Sequence, residues 1–162
     1  MTVKRETFAS LLQSHGYRYD LRPVFDDFLT LTLCAFSQNP LTKKSYDEDL
    51  YLETINRYPK DMADELFSKL LALLILEMEE GLGSDRGNDV LGNFYEQNFC
   101  RKGTGQFFTP WHVCRMMAEC VHGGKADTEV ERLRILDPSC GSGRTLLAGT
   151  KVFGHQHDYF GI

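Results

Sequence analysis

Apolar side chains at helical spacing dominate the first hundred residues of the chain. Residues 23–36 are dense enough in apolar positions to predict a largely buried helix. Asn39-Pro40 prevents this helix from continuing. Residues 45–58 begin with an acidic turn, as the positive end of a helix prefers, and Pro59 ends this second helix. The pattern therefore predicts that the N-terminal part of the chain is all-helical.

Residues 61–80 carry the strongest helical pattern of the chain. We expect Asp61 to cap this helix and Gly81 to end it. A loop rich in glycine follows, and residues 89–99 then predict a shorter helix. Its expected inward-facing side chains are Val90, Leu91, Phe94, Tyr95 and Phe99.

The apolar helical pattern ends at residues 101–105, a basic segment that contains glycine. Thr109-Pro110 then predicts a helix start, with Thr109 as the cap and Pro110 at the first helical position. Gly123-Gly124 should end this helix. Its expected inward-facing side chains are Val113, Met116, Met117, Cys120 and Val121.

A strand, a glycine turn, a helix and a second strand come next. Residues 133–136 predict a short buried strand, residues 144–153 a helix, and residues 159–162 the start of another strand. This order opens a doubly wound sheet. The predicted fold class is α/β overall, with an all-helical N-terminal domain over residues 1–104 and the start of a Rossmann-like domain over residues 105–162.

Composition and charge restrict the function classes. The chain is 42% hydrophobic and 25% charged, which is typical of a soluble globular protein. Its net charge is −5, and the acidic excess lies within residues 1–104. A domain that binds DNA alone usually has a basic face. We therefore expect any nucleic acid to be held mainly by something else, or by a local patch that the net charge hides.

Neither a signal peptide nor a membrane span is predicted. The N-terminus lacks an apolar stretch, and the longest apolar run, residues 70–76, is far shorter than the about 20 residues of a spanning helix. We expect a cytoplasmic protein with no membrane partner.

The cysteines and histidines favour structural roles. The five cysteines contain no Cys-x-x-Cys pair, which indicates small buried thiols rather than disulfides or zinc. Cys114, Cys120 and His122 match no usual metal-ligand spacing. His155 and His157 are expected at the surface, before the second strand.

Residues 137–143 read Asp-Pro-Ser-Cys-Gly-Ser-Gly between a predicted strand and a predicted helix. Such a loop brings backbone N–H groups to a ligand at the carboxyl edge of a sheet. Gly141 and Gly143 permit positive φ and close approach, and Asp137 can accept hydrogen bonds from a cationic amine. The pattern indicates a nucleoside cofactor, with an ordinary tight strand-to-helix turn as the alternative.

Two other glycine motifs do not fit this loop. A phosphate-binding P-loop would need glycine at Pro138 and lysine at Arg144. A dinucleotide fingerprint would need glycine at Leu146.

The helix start at Thr109 suggests which cofactor is bound. Residues 105–110 read Gly-Gln-Phe-Phe-Thr-Pro. The N–H groups and positive end of the helix suit a carboxylate, and Thr109 adds a hydroxyl. Asp137 suits an ammonium, so the two segments together would accommodate the amino-acid end of S-adenosylmethionine.

These segments resemble motifs of the adenine-specific DNA methyltransferases. Residues 105–110 look like their motif X, residues 137–143 look like their motif I, and residues 91–96 resemble the segment before motif X. In this order, after a helical domain, they are similar to the modification subunits of type I restriction-modification systems and to related single-chain N-6 adenine methylases. The specific resemblance covers about residues 89–162.

The resemblance implies S-adenosylmethionine as the cofactor and DNA as the substrate. Thr109 and the backbone around Phe107 and Phe108 would bind the cofactor's carboxylate. Its methionine and ribose side would be surrounded by Asp137, Ser139, Gly141 and Gly143. The expected partners are DNA through the complete enzyme and restriction or specificity subunits. A second copy of the chain is a candidate partner, because two parallel strands leave exposed edges.

Two parts of the family pattern are missing from the sequence. The acidic residue that takes the ribose hydroxyls would be due where the sequence ends, at Ile162. No two prolines adjoin, so the catalytic Asn/Asp-Pro-Pro-aromatic motif is absent. We expect the front segment of a longer enzyme, with weak or incomplete cofactor binding and no methylation by this chain alone. No catalytic residue and no metal ligand is assigned.

Two alternative functions stay open. A helical module with a vestigial cofactor fold could act as a non-catalytic partner in assembly, since its acidic helices suit protein contact. A methyltransferase acting on RNA or protein could also carry residues 137–143, whereas residues 105–110 favour DNA.

Overall fold

The computed structural model describes the chain in separate stretches. They are residues 5–16, 18–37, 47–82, 89–100, 108–123 and 132–162. The chain divides into two compact units, Met1–Glu77 and Met78–Ile162. The domain boundary expected near residue 104 falls inside the second unit and outside the described residues, and it stays a prediction.

Helices build the described part of the first unit. α1 spans Phe8–His15, α2 spans Leu21–Phe36 and α3 spans Glu48–Ile55. A continuous helical stretch follows, made of α4 (Lys60–Met62), a π-helical turn (Ala63–Phe67) and α5 (Ser68–Leu82), whose last residues lie beyond the end of this unit at Glu77. The side chains of Thr7, Asp20 and Asp47 accept hydrogen bonds from backbone N–H groups in the first turns of α1, α2 and α3. These caps explain where the three helices begin.

The helix predicted over residues 61–80 differs from the structure in three places. It begins at Lys60 with Pro59 before it, so Asp61 is not its cap. It also continues past Gly81, to Leu82. Its π-helical turn buries Ala63, Leu66 and Phe67, and apolar spacing alone does not reveal such a wide turn.

Aromatic side chains form the core of the first unit. Phe8, Phe25 and Phe28 are almost fully buried, and the ring centroids of Phe8 and Phe28 lie 5.2 Å apart. The prediction of a largely buried α2 is wrong at its C-terminal end, where Leu33 and Phe36 are 70% and 69% exposed. One face of this helix packs into the core, and the side chains on the opposite face are exposed.

The second unit contains helices and a short parallel pair of strands. α6 spans Val90–Phe99, α7 spans Trp111–His122 and α8 spans Arg144–Phe153. β1 (Arg134–Asp137) and β2 (Asp158–Gly161) pair in parallel, with Asp137 opposite Gly161. The predicted order of strand, glycine turn, helix and strand is therefore confirmed. Helices α7 and α8 pack against each other.

Two predictions about packing in this unit are wrong. β1 is not buried, since Leu136 is 57% exposed. α7 buries Cys114 and Ala118, whereas Met117 and Val121 are exposed. The two side chains that face the core are small, so the buried face of α7 is not its most hydrophobic face, and hydrophobicity alone does not reveal it. Gly123 ends α7 in the left-handed conformation, as predicted.

The described residues are mostly helical, and their one parallel strand pair is compatible with the start of an α/β fold. A larger doubly wound sheet stays a prediction. Across the described ranges, every helix is too short or too polar to cross a membrane.

The hydroxyl of Tyr58 supports the first unit by donating to Asp27 Oδ2 at 2.6 Å. Burial, followed by this hydrogen bond, raises the pKa of Tyr58 above its ordinary value of 10.0. The folded state thus favours the protonated phenol. The resulting stability is complete below the unfolded pKa and is lost as the pH rises through the folded pKa.

We expect Tyr58→Phe to lower the free energy of unfolding by about 1–2 kcal/mol near neutral pH. It should also remove part of the alkaline decline in stability that begins near the unfolded pKa of 10.0, measured between about pH 9 and about pH 12. Urea unfolding across this range measures both effects. Tyr51→Phe on α3 is the matched control, and an equal effect of both substitutions would contradict the role of the Asp27 contact.

Candidate functional site

The loop of residues 137–143 turns tightly between β1 and α8. Gly141 and Gly143 have φ angles of 55° and 76°, in the left-handed region that favours glycine. A Cβ at either position would meet no atom of the chain within 4 Å. Backbone conformation therefore requires glycine at both positions, and the space beside them is open to a ligand.

The carboxylate of Asp137, the last residue of β1, organises this loop. One of its oxygens accepts a hydrogen bond from the Ser139 N–H at 3.0 Å, and the other accepts one from the Thr145 hydroxyl. A carboxylate has about four acceptor positions, so further positions can receive a cationic amine. Asp137 and Ser139 thus lie in the expected loop, and their contact with a cofactor stays a prediction.

The loop is also fixed to the end of β2. The Cys140 N–H donates to the Ile162 carbonyl at 3.1 Å, and the Ile162 N–H donates to the Asp137 carbonyl at 3.1 Å. A Cβ on Gly161 would collide with the Cys140 side chain, so glycine is needed there for close approach. These contacts hold the loop against both strand ends.

Phe108 and Thr109 lie directly before α7, whereas Phe107 is outside the described residues. Pro110 stands at the N-terminal boundary of α7 in an extended conformation, and no side chain of the described residues caps the helix. The prediction that Thr109 is the cap is therefore wrong, because the helix begins one residue later than expected. Thr109 is exposed, and the first N–H groups of α7 have no side-chain cap within the described stretches of the chain.

Arg144, the first residue of α8, connects the glycine loop with this segment. Its side chain is buried, and its Nη1 donates to the Thr109 carbonyl at 3.2 Å. Its guanidinium carbon lies 5.5 Å from the centroid of the Phe108 ring. The structure thus brings the Phe108-Thr109 segment to the residue that directly follows Gly143.

Helix α6 holds the other side of the Arg144 guanidinium. The Asp89 carboxylate caps α6 by accepting from the Gly92 N–H at 2.8 Å, and it also accepts from Arg144 Nε at 2.7 Å. Nη2 donates to Asn93 at 3.1 Å and to Glu96 at 3.4 Å. A Cβ on Gly92 would collide with the Asp89 carboxylate, so only glycine leaves room for it.

The charge of Arg144 depends on these partners. Burial is the largest influence on the pKa of Arg144 and lowers it, but the hydrogen bond and charge of Asp89, followed by Glu96, raise the pKa above its ordinary value. Sequence reasoning missed this residue and used it only to reject a P-loop. The available signal was a basic side chain in the first turn of a helix, where the helix dipole opposes it.

The cysteines and histidines do not form a metal site in the part of the chain that is described, where no group of three His, Cys, Asp or Glu side chains could hold an ion. Cys114 is buried, which raises the pKa of its thiol, and its Sγ donates to the Thr109 carbonyl at 3.6 Å. Cys120 is exposed, contrary to the expectation of buried thiols. His157 is buried rather than at the surface, and its Nδ1 accepts from the Leu133 N–H at 3.2 Å.

Residues 86–161 match the family model described as N-6 DNA Methylase. The match includes α6, the Phe108-Thr109 segment, the glycine loop and Arg144, and it supports the resemblance drawn from the motifs. No curated protein and no solved structure matches the chain.

Gly92→Ala tests the contact between α6 and Arg144. Alanine inside a helix is normally more stable than glycine by about 1 kcal/mol. Here the added Cβ would displace the Asp89 carboxylate from Arg144, so we expect the free energy of unfolding to fall by about 2–4 kcal/mol. Urea denaturation followed by circular dichroism measures the change.

An Asp89→Ala background provides the control for this prediction. Without the carboxylate, Gly92→Ala should be neutral or stabilising. Equal destabilisation in both backgrounds would contradict the assigned contact.

Proposed function

We propose, from the match of residues 86–161 to the N-6 DNA methylases, that this segment begins the S-adenosylmethionine site of a DNA adenine N-6 methyltransferase from a restriction-modification system. One observation carries the proposal. Arg144 directly follows the glycine loop and binds the carbonyl of Thr109, so it joins the two segments that resemble the family's cofactor motifs.

The residues present fit the amino-acid end of this cofactor. The start of α7 offers N–H groups and a positive helix end, and Thr109 adds an exposed hydroxyl, which together suit a carboxylate. Asp137 has acceptor positions beyond those used within the loop, which suits an ammonium. Gly141 and Gly143 leave open space beside the loop. The further proposed contacts are Phe107, Phe108 and Ser139.

The role proposed for these residues is binding and orientation. When bound, S-adenosylmethionine supplies an electrophilic methyl group. The chain would hold the carboxylate and the ammonium of the cofactor at two separate points, which limits its orientation. A target adenine would have to be flipped out of the DNA duplex. The sequence contains no Asn/Asp-Pro-Pro-aromatic motif, so no residue is assigned to the adenine.

The proposal extends to partners and location. DNA would bind through the complete enzyme, in the cytoplasm, together with restriction or specificity subunits. The net charge of −5 supports this division, because a chain that is acidic as a whole gains little from phosphate contacts of its own. A second copy of the chain is a further proposed partner.

Assembly without catalysis is a second candidate function, and exposed apolar side chains on α2 favour it. Leu33 and Phe36 lie about one turn apart on this helix, and both are largely exposed. Apolar side chains that are exposed together often mark protein contact sites. A pure assembly module would bind no cofactor, so ligand titration separates the two functions.

We expect titration of the chain with S-adenosylmethionine to show weak binding. Asp137→Asn should weaken it by about 1.5–3 kcal/mol, because it removes the charge that pairs with the ammonium. Isothermal titration calorimetry measures both affinities. Asp158→Asn, at the start of β2, is the matched control and should change little. No binding at millimolar cofactor, or equal effects of both substitutions, would contradict the proposed site.

We also expect no methyl transfer by the 162-residue chain alone, because its sequence lacks the motif that would hold adenine. The measurement is transfer of a labelled methyl group from S-adenosylmethionine to adenine-containing DNA. Turnover above the protein-free blank would show this expectation to be wrong.

A further inference from the structure

Arg144 is a buried charge that the proposed cofactor contacts do not use. All three of its guanidinium nitrogens donate hydrogen bonds, to side chains of α6 and to the backbone of Thr109. An apolar side chain of similar volume often stabilises a protein as well as a buried ion pair does. An arginine at this position therefore differs from an apolar side chain mainly in the directions of the hydrogen bonds that it donates.

The α6 contacts hold the guanidinium in one orientation. Asp89 accepts from Nε while it is itself fixed by the Gly92 N–H. Asn93 and Glu96 both accept from Nη2. Because the guanidinium is planar, with its donors in a fixed fork, these contacts also determine where Nη1 points.

Nη1 points to the segment before α7. It donates to the Thr109 carbonyl at 3.2 Å, and the guanidinium lies over the Phe108 ring at a cation–π distance. Phe108 and Thr109 lie outside helix and strand, so no regular ladder of backbone hydrogen bonds holds them. Tyr95 packs 5.7 Å from the Phe108 ring, and Cys114 donates to the same Thr109 carbonyl.

We propose that Arg144 is a positioning residue that makes the site selective for the amino-acid end of the cofactor. It holds Phe108 and Thr109 beside the glycine loop without touching the cofactor itself. The inference rests on the proposed function. Losing Arg144 should weaken binding of ligands that carry the methionine portion. Adenosine lacks that portion, so its binding should be nearly unchanged.

The test is a titration of the full chain with S-adenosylmethionine and with adenosine. Trp111, the single tryptophan, adjoins Pro110 and provides the fluorescence signal. For Arg144→Met we expect a loss of roughly 10-fold or more in affinity for S-adenosylmethionine, and of less than about 2-fold for adenosine. Arg144→Lys should keep only part of the affinity for S-adenosylmethionine that Arg144→Met loses, because an ammonium cannot form the same fork of hydrogen bonds.

Arg115→Met is the matched control for these variants. Arg115 lies on α7 and pairs with Glu119 one turn away, at the surface. Its replacement removes an arginine from the same unit but leaves the Thr109 contact intact. We expect no change in either affinity.

Labelling of Cys114 provides a second measurement that needs no cofactor. Cys114 is 1% exposed and contacts the carbonyl that Arg144 holds. Release of the Phe108-Thr109 segment should raise its labelling rate by roughly 10-fold in Arg144→Met. Site-resolved mass spectrometry separates this signal from that of Cys34, the buried control in the first unit. Asn93→Ala removes one acceptor of Arg144 and should give a smaller increase in the labelling rate of Cys114. This variant provides the measurement if Arg144→Met fails to fold.

Each outcome decides the inference. Equal losses of affinity for both ligands would show a merely structural role and overturn it, and so would unchanged labelling of Cys114. If the unsubstituted chain does not bind S-adenosylmethionine, the proposed function fails, and if it binds S-adenosylmethionine but not adenosine, the comparison of the two ligands cannot be made. The labelling of Cys114 then decides by itself whether Arg144 positions the segment.

Discussion

The buried ion pair between Asp89 and Arg144 joins the start of α6 to the start of α8 within the second unit. Both side chains are only 6% exposed, and Arg144 Nε lies 2.7 Å from Asp89 Oδ2. Removing one partner from such a pair typically costs about 3–5 kcal/mol, because the other charge is left without compensation in a dry environment. By comparison, placing a cation at the positive end of α8 costs about 0.3–1 kcal/mol. The pair therefore outweighs the unfavourable helix dipole and holds α6 against the start of α8.

One carboxylate serves two purposes in this arrangement. Asp89 caps α6 through the Gly92 N–H and compensates the charge of Arg144. The same carboxylate thus contacts the start of α6 and the start of α8. The backbone of Thr109 joins this hydrogen-bond network through Nη1 of Arg144. A cofactor contact at Thr109 would therefore depend on residues far from the ligand, through directed hydrogen bonds rather than through general packing.

Local signals in the sequence predicted the features whose causes are local. The helices over residues 23–36 and 89–99 and the glycine loop were predictable, because apolar spacing, caps and positive φ act within a few residues. Both halves of the candidate site could be identified by motif, but the side chain that joins them could not. The buried face of α7 and the burial of His157 also escaped prediction, since each depends on neighbours supplied by other parts of the chain.

The distance along the sequence between Asp89 and Arg144 has a consequence for folding. The two residues are separated by 55 positions, and α6 and α8 have 10 residues each. Isolated helices of this length are marginal in water, and a contact of such long range forms only after the chain between them has closed. Neither helix gains its buried charge partner without the other. α6 and α8 should therefore form and open as one cooperative unit, with a shared protection of their amides against hydrogen exchange.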